Sequence, residues 1–137
     1  MADLTEIYRQ ARSIRYFTKE AVTKQALMQI WDNARIVSNA MNRQQLRYVV
    51  VQDPTRVAYI NEHVHFAALL GKASAFQKSH YPPVYIGIIQ THLHPYSDLD
   101  TGIAADTIKV TASSLGLGSC ILASFKDVDE VFEIKDQ

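Results

Sequence analysis

The stretch that decides the fold is Thr101-Gly102-Ile103-Ala104-Ala105-Asp106-Thr107-Ile108-Lys109-Val110-Thr111-Ala112-Ser113-Ser114-Leu115, followed by Gly116-Leu117-Gly118 and then Ser119-Cys120-Ile121-Leu122. At the helical period its polar stripe is narrow: Asp106, Lys109 and Ser113. The remaining girth is Ile103, Ala104, Ala105, Ile108, Val110, Ala112 and Leu115, with small hydroxyls between them. A surface helix buries one stripe, whereas a helix apolar around most of its circumference is covered on several sides. The stretch therefore reads as a central, buried helix. Asp98 or Asp100 can cap its start. Gly116 and Gly118 supply a left-handed C-cap and a tight turn, and Ser119 to Leu122 reads as a short apolar strand.

Working outward, the 137 residues are expected to form one domain (residues 1–137), with 47% apolar and 20% charged residues as in soluble globular proteins. Fourteen basic and fourteen acidic residues balance, so no field favours nucleic acid. A single cysteine, Cys120, excludes an internal disulfide and suits a reducing compartment. The start of the chain lacks the basic and apolar segments of a signal peptide, and the expectation is a cytoplasmic protein.

Asp3-Leu4-Thr5-Glu6 has the form of a capping box, opening a short amphipathic helix through Leu4, Ile7, Tyr8 and Ala11. Residues 12–17 read as extended chain. A second helix is expected from about Thr23 to Val37, with Leu27, Ile30, Trp31 and Ala34 on one face. After a polar loop come a strand from Leu46 to Gln52 and a turn at Asp53-Pro54. A helix from Thr55 towards Leu70 follows, then a strand from Val84 to Thr91. That strand is apolar without alternation, as in a sheet covered on both faces. A last short helix is expected between Asp127 and Phe132. The alternation of helices and strands implies a sheet flanked by helices. No Gly-x-Gly-x-x-Gly or P-loop is present, which excludes the Rossmann and NTPase readings.

Two segments carry chemistry. Arg12, Ser13 and Arg15 offer two guanidiniums and a hydroxyl, a set suited to a phosphate. The plainer alternative is solvated arginines paired with carboxylates. Ser38-Asn39-Ala40-Met41-Asn42-Arg43-Gln44 is dense in side-chain amides, which donate and accept and so suit the pyrimidine edge of a flavin. Its alternative is a helix end followed by a polar loop. His92 and His94 have no third ligand nearby, so no metal is expected. Cys120 has no adjacent base and reads as a buried packing residue. No nucleophile arrangement is seen, which leaves catalysis to a cofactor.

In order along the chain, these segments resemble the FMN-dependent nitroreductase family. Residues 12–17 resemble its Arg-Arg-Ser-x-Arg-x-Phe motif, and residues 38–48 its Ser-Ala-x-Asn-x-Gln-Pro-Trp-x-Phe loop and strand. Residues 100–120 resemble its central helix and Leu-Gly-Leu-Gly turn. The resemblance implies an α+β fold of three layers, α/β/α, with a mostly antiparallel sheet, in an intertwined homodimer with FMN at the subunit interface. By resemblance Arg12, Ser13 and Arg15 hold the FMN phosphate and ring edge. Asn39, Ala40 and Asn42 reach the flavin from the partner subunit, Ser38 and Gln44 also belong to the cofactor-binding set, and the backbone of Ile121, Leu122 and Ala123 runs beside the ring. The implied activity is ping-pong: hydride from NADH or NADPH, then reduction of a nitroaromatic, quinone or similar acceptor. The alternative is an FMN-binding relative with little reductase activity, a carrier or sensor.

Three features depart from the family pattern. Ala11 replaces the first arginine of the pair, Gln45-Leu46 replaces Pro-Trp, and the sequence ends at Gln137 where family members continue into a further strand and arm. A missing C-terminal portion is the expectation from this last feature.

Overall fold

A computed structural model of the chain describes residues 3–64 and 80–123. Five helical segments and two strands follow one another in these regions: α1 (Leu4–Gln10), α2 (Lys24–Ile36), a 3-10 turn (Ala40–Asn42), β1 (Leu46–Val51), α3 (Pro54–His63), β2 (Tyr85–Gln90) and α4 (Ser97–Ser114). The expected last helix at 127–132 lies outside the described residues. The chain divides into two units. The described parts of the first are residues 3–14, 22–48 and 88–121, and those of the second are 15–21, 49–64, 80–87 and 122–123.

The first unit is built on α4. Both α1 and α2 pack against it, α2 more extensively. Thr23 caps α2 by accepting the Ala26 N–H at 3.1 Å, and the helix buries Leu27, Ile30 and Ala34. Trp31, expected on the same face, lies at its rim and is 42% exposed, with the Arg35 guanidinium 5.1 Å above its ring. Asn33 Nδ2 donates to Thr111 Oγ1 at 3.1 Å, linking α2 to α4. The Ser113 hydroxyl donates to Ile7 O at 3.0 Å, linking α4 to α1. Asp3 caps α1 through the Thr5 N–H. Glu6 accepts from Gln10 rather than returning to the cap, so the capping box is half formed.

α4 is longer than its apolar stretch. It starts at Ser97, so Asp98 and Asp100 lie within the first turn and neither is the cap. Their charges still face the positive end of the helix. Gln90 Nε2 donates to both Asp98 Oδ1 (2.9 Å) and Thr101 Oγ1 (2.8 Å), which fixes that turn. Ala104, Thr111 and Ala112 are buried, but Ile103, Ile108 and Val110 are only half-buried. The girth expected to be covered all round is thus covered in part by the chain itself. At the other end the Leu117 N–H reaches Ala112 O (2.9 Å) and the Gly116 N–H reaches Ser113 O (3.0 Å). Gly116 is left-handed at φ 76°, and these are the two bonds of a Schellman cap.

The two strands pair in one sheet. The Thr91 N–H donates to Gln45 O at 3.0 Å, which sets the start of β1 opposite the end of β2 and makes the pair antiparallel. β2 is half-buried along its whole length, without alternation, in keeping with its unbroken apolar sequence.

In the second unit Val51, Val57, Ile60, Val64 and Tyr81 form the core. Asp53 caps α3 through the Arg56 N–H at 3.0 Å, and Pro54 opens the helix. The helix stops at His63 rather than running on towards Leu70: Val64 is extended (φ −108°, ψ 152°) and buried. A β-branched side chain that finds a core position in the extended conformation ends the helix there. Residues 65–70 lie outside the described residues. Tyr85 Oη donates to Asn61 Oδ1 at 2.6 Å. Burial, and then the neighbouring Tyr81 phenol, hold the Tyr85 phenol well above the usual tyrosine range.

Candidate functional site

The first candidate segment is extended, as its sequence suggests. Ser13 forms a parallel bridge with Ser119, and the Ile14 N–H donates to Ser119 O at 2.8 Å. The strand expected from Ser119 to Leu122 is reduced to this one bridge. Gly118 makes the approach possible. A Cβ there would lie 3.1 Å from Ile14 Cγ1 and Cγ2, tighter than most side-chain contacts, so Ile14 would have to give way. The second glycine of Gly-Leu-Gly therefore supplies space, while the first supplies the left-handed turn.

The Arg12 and Ser13 side chains are both exposed. Arg12 Nε donates to Arg9 O at 3.2 Å, and the guanidinium makes no ion pair among the described residues. A guanidinium and a hydroxyl without a carboxylate partner among the described residues are the donor types that suit an anion. Ile121, also in this unit, is exposed. Cys120 is half-buried rather than buried, with Sγ 3.8 Å from Ile121 O. Arg15, Leu122 and Ala123 belong to the second unit. Arg15 is half-buried and its Nε is fully shielded, with no partner among the described residues.

The second segment, residues 38–44, folds into a compact loop. Asn39 Oδ1 accepts the Gln44 N–H at 2.8 Å, and Gln44 Nε2 donates to Asn42 Oδ1 at 3.1 Å. The Asn42 and Arg43 N–H groups return to Asn39 O and Ala40 O. Three non-glycine residues are left-handed: Met41 (φ 54°), Asn42 (φ 52°) and Gln44 (φ 53°). Such residues cost roughly 1–3 kcal/mol each and persist only where their surroundings impose them. Asn39 Nδ2 has no partner among the described residues, and Ser38 and Ala40 flank it.

What imposes the loop came from elsewhere in the sequence. Asp100 Oδ1 accepts the Ala40 N–H at 2.9 Å, and Asp100 Oδ2 lies 3.5 Å from His94 Nε2. Asp100 is 6% exposed. Composition offered no signal for this role, because an acid at the head of a helix reads as a cap.

Two grooves flank the loop, each about 280 Å³. One is lined by Trp31, Arg35, Asn39, Gln45, Arg47 and Tyr48. In it Gln45 Oε1 is buried with no hydrogen-bond donor among the described residues. The other is apolar, lined by Met41, Tyr96, Leu99 and Ile103. Asp100 lines both.

No helix of the described residues is long and apolar enough to cross a membrane. A search of curated proteins finds no match. Among solved structures, a nitroreductase family protein from Clostridium novyi NT superposes with a TM-score of 0.83 at 21% identity, over 98% of this chain and 78% of that one. A nitroreductase with bound FMN from Bacteroides fragilis NCTC 9343 gives 0.71 at 16% identity, over 88% and 69%. Iodotyrosine deiodinase bound to FMN and 3-iodo-L-tyrosine gives 0.77 at 19% identity, over 98% and 83%. These likenesses establish an α+β, nitroreductase-like fold. The family model for nitroreductases matches residues 8–137, so both candidate segments and the central helix fall within it, and the chain belongs to the nitroreductase family.

Proposed function

We propose that the protein is an FMN-dependent oxidoreductase that takes a hydride from NADH or NADPH and passes it to a nitroaromatic, quinone or similar acceptor. The family match across residues 8–137 carries this reading, because it spans the anion surface at Arg12 and Ser13 and the amide loop. The FMN-bound state of the Bacteroides fragilis and iodotyrosine deiodinase structures supports the choice of cofactor.

The residues present fit FMN. The Arg12 guanidinium and Ser13 hydroxyl are exposed donors for a phosphate, and Gln45 Oε1 is a shielded acceptor in need of an N–H. Arg15 Nε is a shielded donor in need of an acceptor. When bound, FMN supplies reversible two-electron hydride chemistry. Arg12 and Ser13 bind the phosphate and fix its position. The amides of Asn39, Asn42 and Gln44, with Ser38 and Ala40 beside them, read the ring edge, and the Ile121 backbone borders it. Arg15, Leu122 and Ala123 are assigned to the flavin by resemblance alone. A cation such as Arg15 favours negative charge on the pyrimidine edge. Donor and acceptor use one place in turn, which is a ping-pong scheme.

The assembly proposed is a homodimer of single-domain protomers, with residues 38–44 of each serving the other's cofactor. Its support is the apolar surface of the first unit: Met41 is 79% exposed, and Leu93, Tyr96 and Leu99 are exposed with it. Patches of this kind mark interaction surfaces. Ala11 favours a second reading, an FMN binder of low reductase activity. Its methyl group stands where the family pattern has an arginine, and its N–H is engaged by Ile7 O and Tyr8 O.

Purified protein reconstituted with FMN is expected to bleach anaerobically with NADH or NADPH and to recover its yellow colour on adding a quinone or nitro compound. Retained FMN without bleaching would favour the second reading, and failure to bind FMN would refute both. Sedimentation is expected to show a dimer.

A further inference from the structure

We infer that Asp100 is a positioning residue for the amide loop, holding it in its strained form through the Ala40 N–H. This rests on the reading that residues 38–44 meet a flavin. The carboxylate is oriented from two sides. The Tyr96 N–H donates to His94 Nδ1 at 3.1 Å, so that nitrogen carries no proton and the Nε2–H faces Asp100. With Oδ2 turned to His94 at 3.5 Å, Oδ1 is presented to Ala40 at 2.9 Å. His94 is itself fixed, since its N–H donates to the buried Ser97 hydroxyl at 2.8 Å.

Ala40 opens the 3-10 turn, and the two residues after it are left-handed. The Asn39–Gln44 bond closes the loop on itself but ties it to nothing else. Asp100 ties it to the first turn of α4, which Gln90 holds at Asp98 and Thr101. The loop thereby acquires a fixed place on α4, the longest helix among the described residues. Removing the carboxylate leaves the amide groups present but unplaced, which weakens ring recognition without touching the phosphate grip at Arg12 and Ser13.

The test is to titrate FMN and riboflavin separately into wild type, Asp100→Ala, Ala40→Pro and the double variant, following flavin fluorescence. Asp100→Ala is expected to weaken both ligands by the same factor, about tenfold as for a lost charge-assisted bond, leaving the FMN-to-riboflavin ratio at its wild-type value. Proline is accepted at the first position of a helical turn and has no N–H to place. In that background Asp100→Ala is expected to have no further effect on either affinity. Unchanged affinities in Asp100→Ala, a loss confined to FMN, or an undiminished tenfold loss in the Ala40→Pro background would each overturn the inference. Should Asp100→Ala not fold, Asp100→Leu replaces it. It fills the space without an acceptor for the Ala40 N–H, and an affinity equal to wild type would count against the proposal. Wild type that binds neither flavin refutes the functional reading itself. Wild type that binds both while Asp100→Ala binds equally well refutes only the role of Asp100.

Discussion

The two candidate segments of the first unit are held by opposite means. Residues 12–14 are held by backbone: a bridge from Ser13 to Ser119 and the Ile14 N–H to Ser119 O, with space made by Gly118. The Arg12 and Ser13 side chains are exposed, with Arg12 Nε returned to Arg9 O. Residues 38–44 are held largely by side chains, Asn39 from within and Asp100 from α4, and three of their backbones are strained. A backbone-held grip tolerates loss of any one side chain without changing shape. A side-chain-held loop does not, because the groups that shape it are also groups expected to touch the ligand.

The sharpest break in that comparison is Asn39→Ala. It removes the acceptor for the Gln44 N–H at 2.8 Å and the amide proposed to read the ring. With both functions lost, FMN affinity is expected to fall by about 2–3 kcal/mol, and riboflavin affinity by the same amount. Equal binding of FMN by this variant would mean that the loop is shaped by Asp100 alone and reads nothing. Arg12→Ala comes next. It is expected to cost about 1–2 kcal/mol of FMN affinity, as for one charge-assisted hydrogen bond. Riboflavin, which lacks the phosphate, is expected to bind it as it binds wild type. A loss for both ligands would show that Arg12 shapes the segment rather than gripping the phosphate.

The same contrast decides what the sequence disclosed. Features that depend on neighbours in the chain were legible: the start of α2 near Thr23, the Asp53-Pro54 turn between β1 and α3, the left-handed Gly116 after α4, and the extended Arg12-Ser13 segment. Features that depend on distant partners were not. Val64 leaves the helical conformation because it reaches a core position, and periodicity carries no information about that. Asp100 carries the signature of a cap, yet it serves Ala40, sixty residues earlier. In the candidate segments the side-chain types were readable, whereas the left-handed backbone at Met41, Asn42 and Gln44 was not. Met41 and Gln44 have no local preference for φ near 50°, so only the tertiary anchors explain them.

Strain itself can be measured. Met41 is 79% exposed and left-handed at φ 54°, so its side chain contributes little packing to offset its conformation. Replacing it by glycine relieves roughly 1–2 kcal/mol of left-handed strain. Against this stands roughly 0.5–1 kcal/mol for the added freedom of the unfolded chain. In the dissociated protomer Met41→Gly is therefore expected to raise unfolding stability by about 0.5–1 kcal/mol in denaturant titrations at low protein concentration. In the proposed dimer, where Met41 belongs to the interface, the lost packing is expected to reverse the sign, and a gain that does not depend on protein concentration would count against an interface at the apolar groove.

Side-chain anchoring also carries a liability to pH that backbone anchoring lacks, and the smallest effect at neutral pH tests it. The Tyr85 hydroxyl donates to Asn61 at 2.6 Å, and its phenol is held above the usual range, first by burial and then by Tyr81. Unfolded, the same phenol ionises near its ordinary value of 10.0. Above that pH the unfolded chain binds fewer protons than the folded one, so stability falls as pH rises; below it this group contributes no slope. Unfolding curves collected from neutral to strongly alkaline pH are expected to show that decline in wild type and a shallower one in Tyr85→Phe. Tyr48 supplies part of the slope that remains, since burial raises its phenol too and its hydroxyl donates to Ala34 O at 3.4 Å. If Tyr85→Phe declines as steeply as wild type, the Tyr85 phenol is not held above its ordinary range in the folded chain, and the alkaline slope belongs to other groups such as Tyr48.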